Sequence, residues 1–497
     1  MGSDSEKTER GSSDRVSGNE LQIGSNCMIG RVTPSEISRI MQSCDLCPRN
    51  CHIDRYVNIG ACGAGADVYV ARAALHFWEE PVISGSRGSG AVFFSGCNLG
   101  CIFCQNSAIS HPQMGTGTLK GNTGAGEKDA LYRGSGTTGN NNCYQLNSGS
   151  QRGTGTTKGS IGAAESGTLY RGSGTTVDNF CESHENWAEV GTGTLHVNNS
   201  AAERNCQTEF LTPGMPPGKK VSVEKLAEIF LRLQDEQGAN NINLVTAAHF
   251  VPQVALALEM AKNRGLTIPV VYNTSSYEKV SALKMLDGLV DVYLPDFKYI
   301  SPELAAKFSH AKDYPEAAIA AIDEMVRQVG EAEFVPEEEF VRKKDAGEVS
   351  ENPISAEKIE TLLTEQGQID DKKGVYPPGG QLIKKGVIVR QLLLPGHVKE
   401  SEKCLQFLHE RYGNRIYISI MNQYTPMPTL QEWLKADKNG RLANDYDLAP
   451  LARKVTKREY SRIVDFAINN GIENGFTQTG DTAESSFIPD WNGEGVD

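Results

Sequence analysis

Between residues 220 and 470 the apolar positions alternate between two rhythms. The stretch 223–238 (VEKLAEIFLRLQDEQG) places them at three- and four-residue steps and ends on glycine, the pattern of an amphipathic helix. The run NINLVT at 241–246 is short, apolar and rich in β-branched residues, as a buried strand is, and VPQVALALEMAKNRG returns to helical spacing. The alternation continues: strand at 268–273, helix at 275–286, strand at 289–297, two helical stretches within 301–330, strand at 386–396, helix at 399–412, strand at 415–421 and helix at about 457–470. Upstream, AVFFS at 91–95 reads as the first buried strand. Parallel strands need crossover connections, so six successive βα units imply a parallel sheet. The expected fold class is α/β, a partial (β/α)6 TIM-type barrel, in which functional residues gather at the C-terminal ends of the strands.

Two segments break the rhythm. Residues 113–219 are rich in Gly, Ser, Thr and Asn and carry a tandem repeat, GTGTLKGNTGAGEKDALYRGSGTT from Gly115 and GTGTTKGSIGAAESGTLYRGSGTT from Gly153. Each unit has too few apolar residues to bury a face, so the composition favours a flexible low-complexity insert over a solenoid. Residues 331–385 are acidic, with EEE at 337–339 and PPGG at 377–380, and read as a charged loop with a helix at SAEKIETLLTEQ. Residues 1–43 read as a disordered tail. Removing all three leaves roughly 290 residues, enough for one barrel-type domain.

The composition agrees: only 39% of the 497 residues are hydrophobic, a core diluted by polar segments. A net charge of −13 argues against a nucleic-acid protein. No apolar run approaches the length of a membrane span, and the first twenty residues lack the apolar stretch of a signal peptide. A reducing, cytoplasmic setting is expected, where twelve cysteines point to metal or redox chemistry more than to disulfides.

Cys97, Cys101 and Cys104 follow the first strand in SGCNLGCIFCQN, spaced C-x3-C-x2-C with Phe103 before the last. Thiolates hold iron–sulfur clusters, and three of them on one loop leave the fourth iron of a [4Fe–4S] cube open. A zinc loop favours paired C-x2-C knuckles instead.

This motif resembles that of the radical S-adenosylmethionine (SAM) enzymes, in the branch similar to pyruvate formate-lyase activating enzyme. The nearest likeness is to uncharacterised activating-enzyme-like iron–sulfur proteins with a Cys-rich N-terminal segment. The resemblance covers about 44–112, 220–330 and 386–480, with CDLCPRNCHIDR, ARAALHFWEEPVISGSRGSGAVFFSGCNLGCIFCQN and LPDFKY. It implies an oxidoreductase in which Cys97, Cys101 and Cys104 bind a [4Fe–4S] cluster whose open iron takes SAM. The cluster's electron cleaves SAM to methionine and a hydrogen-abstracting 5′-deoxyadenosyl radical. Phe103 would pack near the adenine, and Asn106 matches the Asn after the last cysteine. Asn273-Thr274 stands where activating enzymes carry Asp-Thr, Asp296 and Lys298 match their Asp-x-Lys, and Arg390 matches a strand-five Arg. The resemblance also implies a reductant protein such as flavodoxin or ferredoxin and a protein substrate for glycyl-radical formation. Where the family carries Gly-Gly-Glu to receive the SAM amino group, this chain reads Thr246-Ala247-Ala248-His249. His249 then either faces substrate or is packed at a helix start.

Cys44, Cys47, Cys51 and Cys62 would suffice for a second tetrathiolate site, zinc or an auxiliary cluster, with His52 as a substitute ligand. On this reading the chain divides into a tail (1–43), a Cys-rich segment (44–85), the barrel with its two inserts (86–480) and a C-terminal tail (481–497). A reading from another class is a non-catalytic Fe–S or zinc scaffold or sensor protein.

Overall fold

The computed structural model describes residues 32–110, 144–145, 217–340, 380–437, 440, 443–478, 489 and 491–497. Most of the repeat insert, the middle of the acidic insert with its expected helix, and residues 1–31 lie outside the described residues.

Ten strands form one sheet: β1 (Val68–His76), β2 (Ser89–Phe94), β3 (Lys219–Val221), β4 (Ile242–Val245), β5 (Val270–Thr274), β6 (Val292–Pro295), β7 (Glu333–Pro336), β8 (Gln381–Leu392), β9 (Tyr417–Met421) and β10 (Gly475–Thr477). The order is β10-β9-β8-β6-β5-β4-β2-β1-β3, with β7 paired to β8. Each neighbouring pair from β2 to β10 is parallel, while β1, β3 and β7 are antiparallel additions. β3 and β10 are the two ends and do not pair, so this is an open, mostly parallel α/β sheet and not a closed barrel.

Helices return the chain between parallel strands: α2 (Val223–Asp235), α3 (Val251–Asn263), α4 (Pro302–Ser309), α5 (Tyr314–Val329), α6 (Val398–Tyr412) and α8 (Lys457–Asn469), with α7 (Pro428–Ala436) after β9. Their starts follow local chemistry. The Ser222 hydroxyl accepts from Lys225 N at α2, and Thr456 with Glu459 closes a capping box at α8.

Side chains alternate across each strand, so one register decides both faces. Val270, Tyr272, Tyr293, Val387 and Val389 join Leu226, Phe230 and Leu258 in the large core beneath the helices. On the opposite face Val271, Val292, Leu294 and Ile388 pack against Val82 and Ile83 of a short helix, Pro81–Ser84. Beyond them, toward the C-terminal strand ends, that face turns polar at Asn273, Asp296 and Arg390.

The sequence reading needs several corrections. A helix, α1 (Pro34–Gln42), occupies part of the expected tail, with its own Thr33–Glu36 capping box. Seven strands run parallel instead of six, because β10 is too short to show a period. Part of the acidic insert is sheet: β7 and the first residues of β8 pair antiparallel. Residues 491–497 are no loose tail. Gly493 N donates to Ala71 O (3.1 Å), Ala73 N donates to Glu494 O (2.9 Å), Val496 is buried, and Trp491 meets Phe93 edge-on. Among the described residues no helix is long and apolar enough to cross a membrane.

Candidate functional site

The chain leaves β2 at Gly96, whose φ of +94° suits glycine. A Cβ there would stand 2.7 Å from Cys62 O and 3.1 Å from His249 Nε2. This close approach lets Cys97 N donate to Cys62 O (2.9 Å) while Gly96 N donates to Ile109 O (2.8 Å). The cysteine loop is then pinned from outside. Asn98 Nδ2 donates to Tyr277 O (2.6 Å), and Ile102 N donates to Phe308 O (2.9 Å) at the end of α4. Arg49 donates to Asn98 O (2.8 Å) and His310 O (2.6 Å), tying the upstream Cys-rich segment to this loop.

The three thiols have short polar partners. Leu99 N donates to Cys97 Sγ (3.4 Å), Cys101 Sγ lies 3.0 Å from Ser309 Oγ, and Cys104 Sγ lies 3.3 Å from Ser110 Oγ. Burial pushes the Cys101 thiol up to about 11, against the pull of Lys298 and the Ser309 hydroxyl. Burial raises Cys97 and Cys104 as well, with Cys104 and Cys101 adding to the rise of Cys97. Lys298 acts on all three in the opposite sense, so its ammonium faces the whole loop.

Lys298 is one end of a charged chain along the polar face. Its Nζ donates to Asp296 Oδ2 (2.6 Å). Arg390 donates to Asp296 Oδ1 (3.3 Å), to Glu79 Oε2 (3.1 Å) and to Asn273 Oδ1. Asn243 donates to the other Glu79 oxygen at 3.0 Å, and Asn273 does so at 3.3 Å. Burial alone would raise Asp296, but Lys298 and Arg390 hold it below the usual carboxylate range. Burial would lower Lys298, yet Asp296 and Cys101 raise it, so the pair is ionised.

Of the residues singled out in the sequence, Asn273, Asp296, Lys298 and Arg390 therefore meet in one network beside the cysteine loop. Thr274 does not join it; its hydroxyl donates to the buried Glu278, which also accepts from Tyr272 (2.9 Å). Phe103 is buried among Tyr299 and Tyr424, centroids 6.4 and 6.3 Å away, on the helix side. Asn106 uses its backbone carbonyl to accept from Ile109 N (3.0 Å) and Ser110 N (2.9 Å). His249 is buried, and its Nε2 donates to Ser95 O (2.8 Å), because a carbonyl can only accept. That is the packed alternative for His249. Thr246 before it has a φ of +62°, an uncommon conformation for a β-branched residue.

Glu79, Arg49 and Glu278 were missed. Glu79 had one sequence signal, a carboxylate directly after an apolar strand and next to a Pro-started helix in HFWEEP. Its partner Arg390 is 311 residues away, and no local pattern connects them.

Among the described residues no three Cys, His, Asp or Glu side chains meet at the spacing of a single-ion shell. The Lys298 ammonium favours the thiolate forms of the half-buried Cys97, Cys101 and Cys104, the form in which sulfur ligates iron or zinc.

No family model matches the chain. It is similar to the uncharacterised protein MJ0674 of Methanocaldococcus jannaschii, 22% identical over 275 residues, which are 55% of this chain and 51% of that protein. The chain thus spans about half the length of the curated relative it matches.

Proposed function

We propose that the chain is a radical SAM enzyme, that its open sheet is the partial (β/α)6 barrel of that class, and that Cys97, Cys101 and Cys104 hold a [4Fe–4S] cluster. The observation that carries this reading is the placement of three half-buried thiols after β2, next to a Lys298–Asp296–Arg390–Glu79 chain. When bound, such a cluster would supply the one electron that splits the sulfonium C–S bond of SAM into methionine and a 5′-deoxyadenosyl radical for hydrogen abstraction. The residues of this chain do the rest. Lys298 offers a cation to a carboxylate or ribose hydroxyls, and burial strengthens that contact. Asp296 keeps Lys298 charged, and Arg390 keeps Asp296 ionised while fixing Glu79 and Asn273. Below this network the short helix Pro81–Ser84 packs Val82 and Ile83 against the sheet face and gives the charged chain an apolar floor.

The test is anaerobic reconstitution with iron and sulfide, followed by reduction with SAM present and chromatography for 5′-deoxyadenosine. The wild-type chain should form it and the Cys101→Ala chain should not. A reduced, cluster-loaded wild-type chain that leaves SAM intact overturns the enzymatic reading. One observation favours the other class, an Fe–S or zinc scaffold or sensor: Thr246–His249 offers no carboxylate where activating enzymes receive the SAM amine. The same assay separates the two.

A further inference from the structure

Four cysteines outside this site lie on two turns that fold against each other. Cys44 N donates to Ile53 O (2.9 Å) and His52 N donates to Cys44 O (2.7 Å), doubling the segment back, while Asn50 N donates to Cys47 O (3.1 Å) and turns it between Cys47 and Cys51. The second turn is closed by Gly63 N to Gly60 O (2.9 Å) and Gly60 N to Ala64 O (3.1 Å), and it carries Cys62. Ala61 N, in that turn, donates to Cys51 Sγ (3.5 Å) across the gap. A Cβ on Gly60 would lie 3.2 Å from Cys62 Sγ and 3.9 Å from Cys51 Sγ, so glycine leaves the space that both sulfurs border. All four cysteines are buried, and none is in a disulfide.

A second observation points to what fills that space. Arg55 is only 2% exposed. Its Nη1 donates to His249 O (2.6 Å) and lies 3.9 Å from Cys44 Sγ, its Nη2 donates to Gly65 O (2.5 Å), and its guanidinium lies over the Phe250 ring at 5.4 Å. Its Nε is buried without a hydrogen-bond partner among the described residues. These partners are carbonyls, a sulfur and a ring, and none carries the negative charge that a buried guanidinium requires. Thiols cannot supply it while protonated. Four thiolates around a divalent zinc ion, or around an oxidised [4Fe–4S] cube, carry a net charge of two negatives in either case.

We propose that Cys44, Cys47, Cys51 and Cys62 are the thiolate ligands of one metal centre, and that Arg55 is its counter-ion. Binding releases the four thiol protons to solvent. The two turns are already formed, but no three of these side chains stand at single-ion spacing in this structure, so binding draws the sulfurs inward. The centre would also set the position of Cys62, whose carbonyl accepts from Cys97 N, and so would brace the neighbouring loop. The inference stands whether or not Cys97, Cys101 and Cys104 hold a cluster.

The test uses the full chain with Cys97→Ala, Cys101→Ala and Cys104→Ala, expressed with zinc and iron supplied and purified anaerobically. Metal is quantified by mass spectrometry and acid-labile sulfide by colorimetry. Zinc without sulfide, or iron with matching sulfide, identifies the centre, and X-ray absorption at that metal's edge should show four sulfur neighbours. Adding Cys51→Ser and Cys62→Ser should lower bound metal at least ~10-fold. Arg55→Met should speed loss to a chelator by about 10-fold while Arg55→Lys stays near the parent. A triple-alanine chain that unfolds cooperatively but holds no metal, or metal with nitrogen and oxygen neighbours instead of sulfur, overturns the site. An Arg55→Met chain that keeps metal as well as its parent overturns the counter-ion role.

Discussion

Replacing Gly96 by alanine should cost far more than replacing Gly63, though both have positive φ. Gly63 sits at +77° with nothing within 4 Å of an added Cβ, so Gly63→Ala carries only the left-handed penalty, about 1–2 kcal/mol. Gly96→Ala carries the same penalty and meets two further obstacles. Its Cβ would stand 2.7 Å from Cys62 O, which must retreat and release the 2.9 Å bond from Cys97 N. It would also crowd His249 Nε2 at 3.1 Å and disturb the bond to Ser95 O. Two buried hydrogen bonds at ~1 kcal/mol each bring the total to about 3–4 kcal/mol. Denaturant unfolding of the two variants side by side, extrapolated linearly, reads the difference. Iron uptake in reconstitution should fall for Gly96→Ala and persist for Gly63→Ala. Equal destabilisation of both variants would refute the close approach as the reason for glycine at 96.

Burial raises Glu278 to about 7 from an unfolded value near 4.5, so the folded chain holds its proton longer than the unfolded chain does. Stability should be fullest below the unfolded value and decline as pH rises toward 7, by up to ~1.4 kcal/mol per unit, and Glu278→Gln should flatten that slope in pH-dependent denaturant titrations. Arg390→Met takes the cation from the nearly buried Glu79 and leaves Asp296 with Lys298 alone, and it should cost about 3 kcal/mol in thermal or denaturant unfolding; a loss under about 1 kcal/mol contradicts the network. Thr246→Gly relieves a left-handed β-branched residue and should gain about 1 kcal/mol in the same assay, whereas a clear loss would mean that the Thr246 side chain matters more than its backbone. Deleting residues 115–212 removes the short antiparallel pairing of Tyr144–Gln145 with Asn58–Ile59 but should preserve the main sheet and iron uptake. The insert is held at neighbouring residues, because Ile109 O accepts from Gly96 N and Pro217 O accepts from Ser95 Oγ, and a shorter loop is cheaper to close. An insoluble deletion chain opposes that expectation.

What the sequence revealed and what it hid divide along a physical line. α2, α5 and α6 were legible because each buries one stripe, α3 because its apolar run, buried on most sides, is too long for a strand, and β4, β5 and β6 because both faces of a covered parallel sheet are apolar. The cysteine loop was legible because its ligands are local, and the strand-end rule put Asp296 and Lys298 near it. Glu79, Arg49 and Arg55 were not, because each acts on a partner brought near only by the finished fold. Thr274 and Phe103 were placed by analogy of position, and one-residue alternation turned Thr274 toward Glu278 while Asn273 took the network side. β10 and residues 491–497 join the sheet by backbone pairing that no side-chain period announces, and Trp491 and Val496 find their packing partners only in the finished fold.

That last pairing bears on how the chain is made. β1 is finished early in synthesis, yet β3 covers it only at Val68–Val70, and the groups at Ala71 and Ala73 bond to residues 493 and 494. Until more than four hundred further residues have emerged, a nine-residue apolar strand presents part of an open edge to any other chain that can pair with it. The exposure is longest when many ribosomes translate close together. A nascent protein of this kind should need a chaperone at that edge, and a copy lacking residues 491–497 should aggregate through β1 even where its metal chemistry is intact.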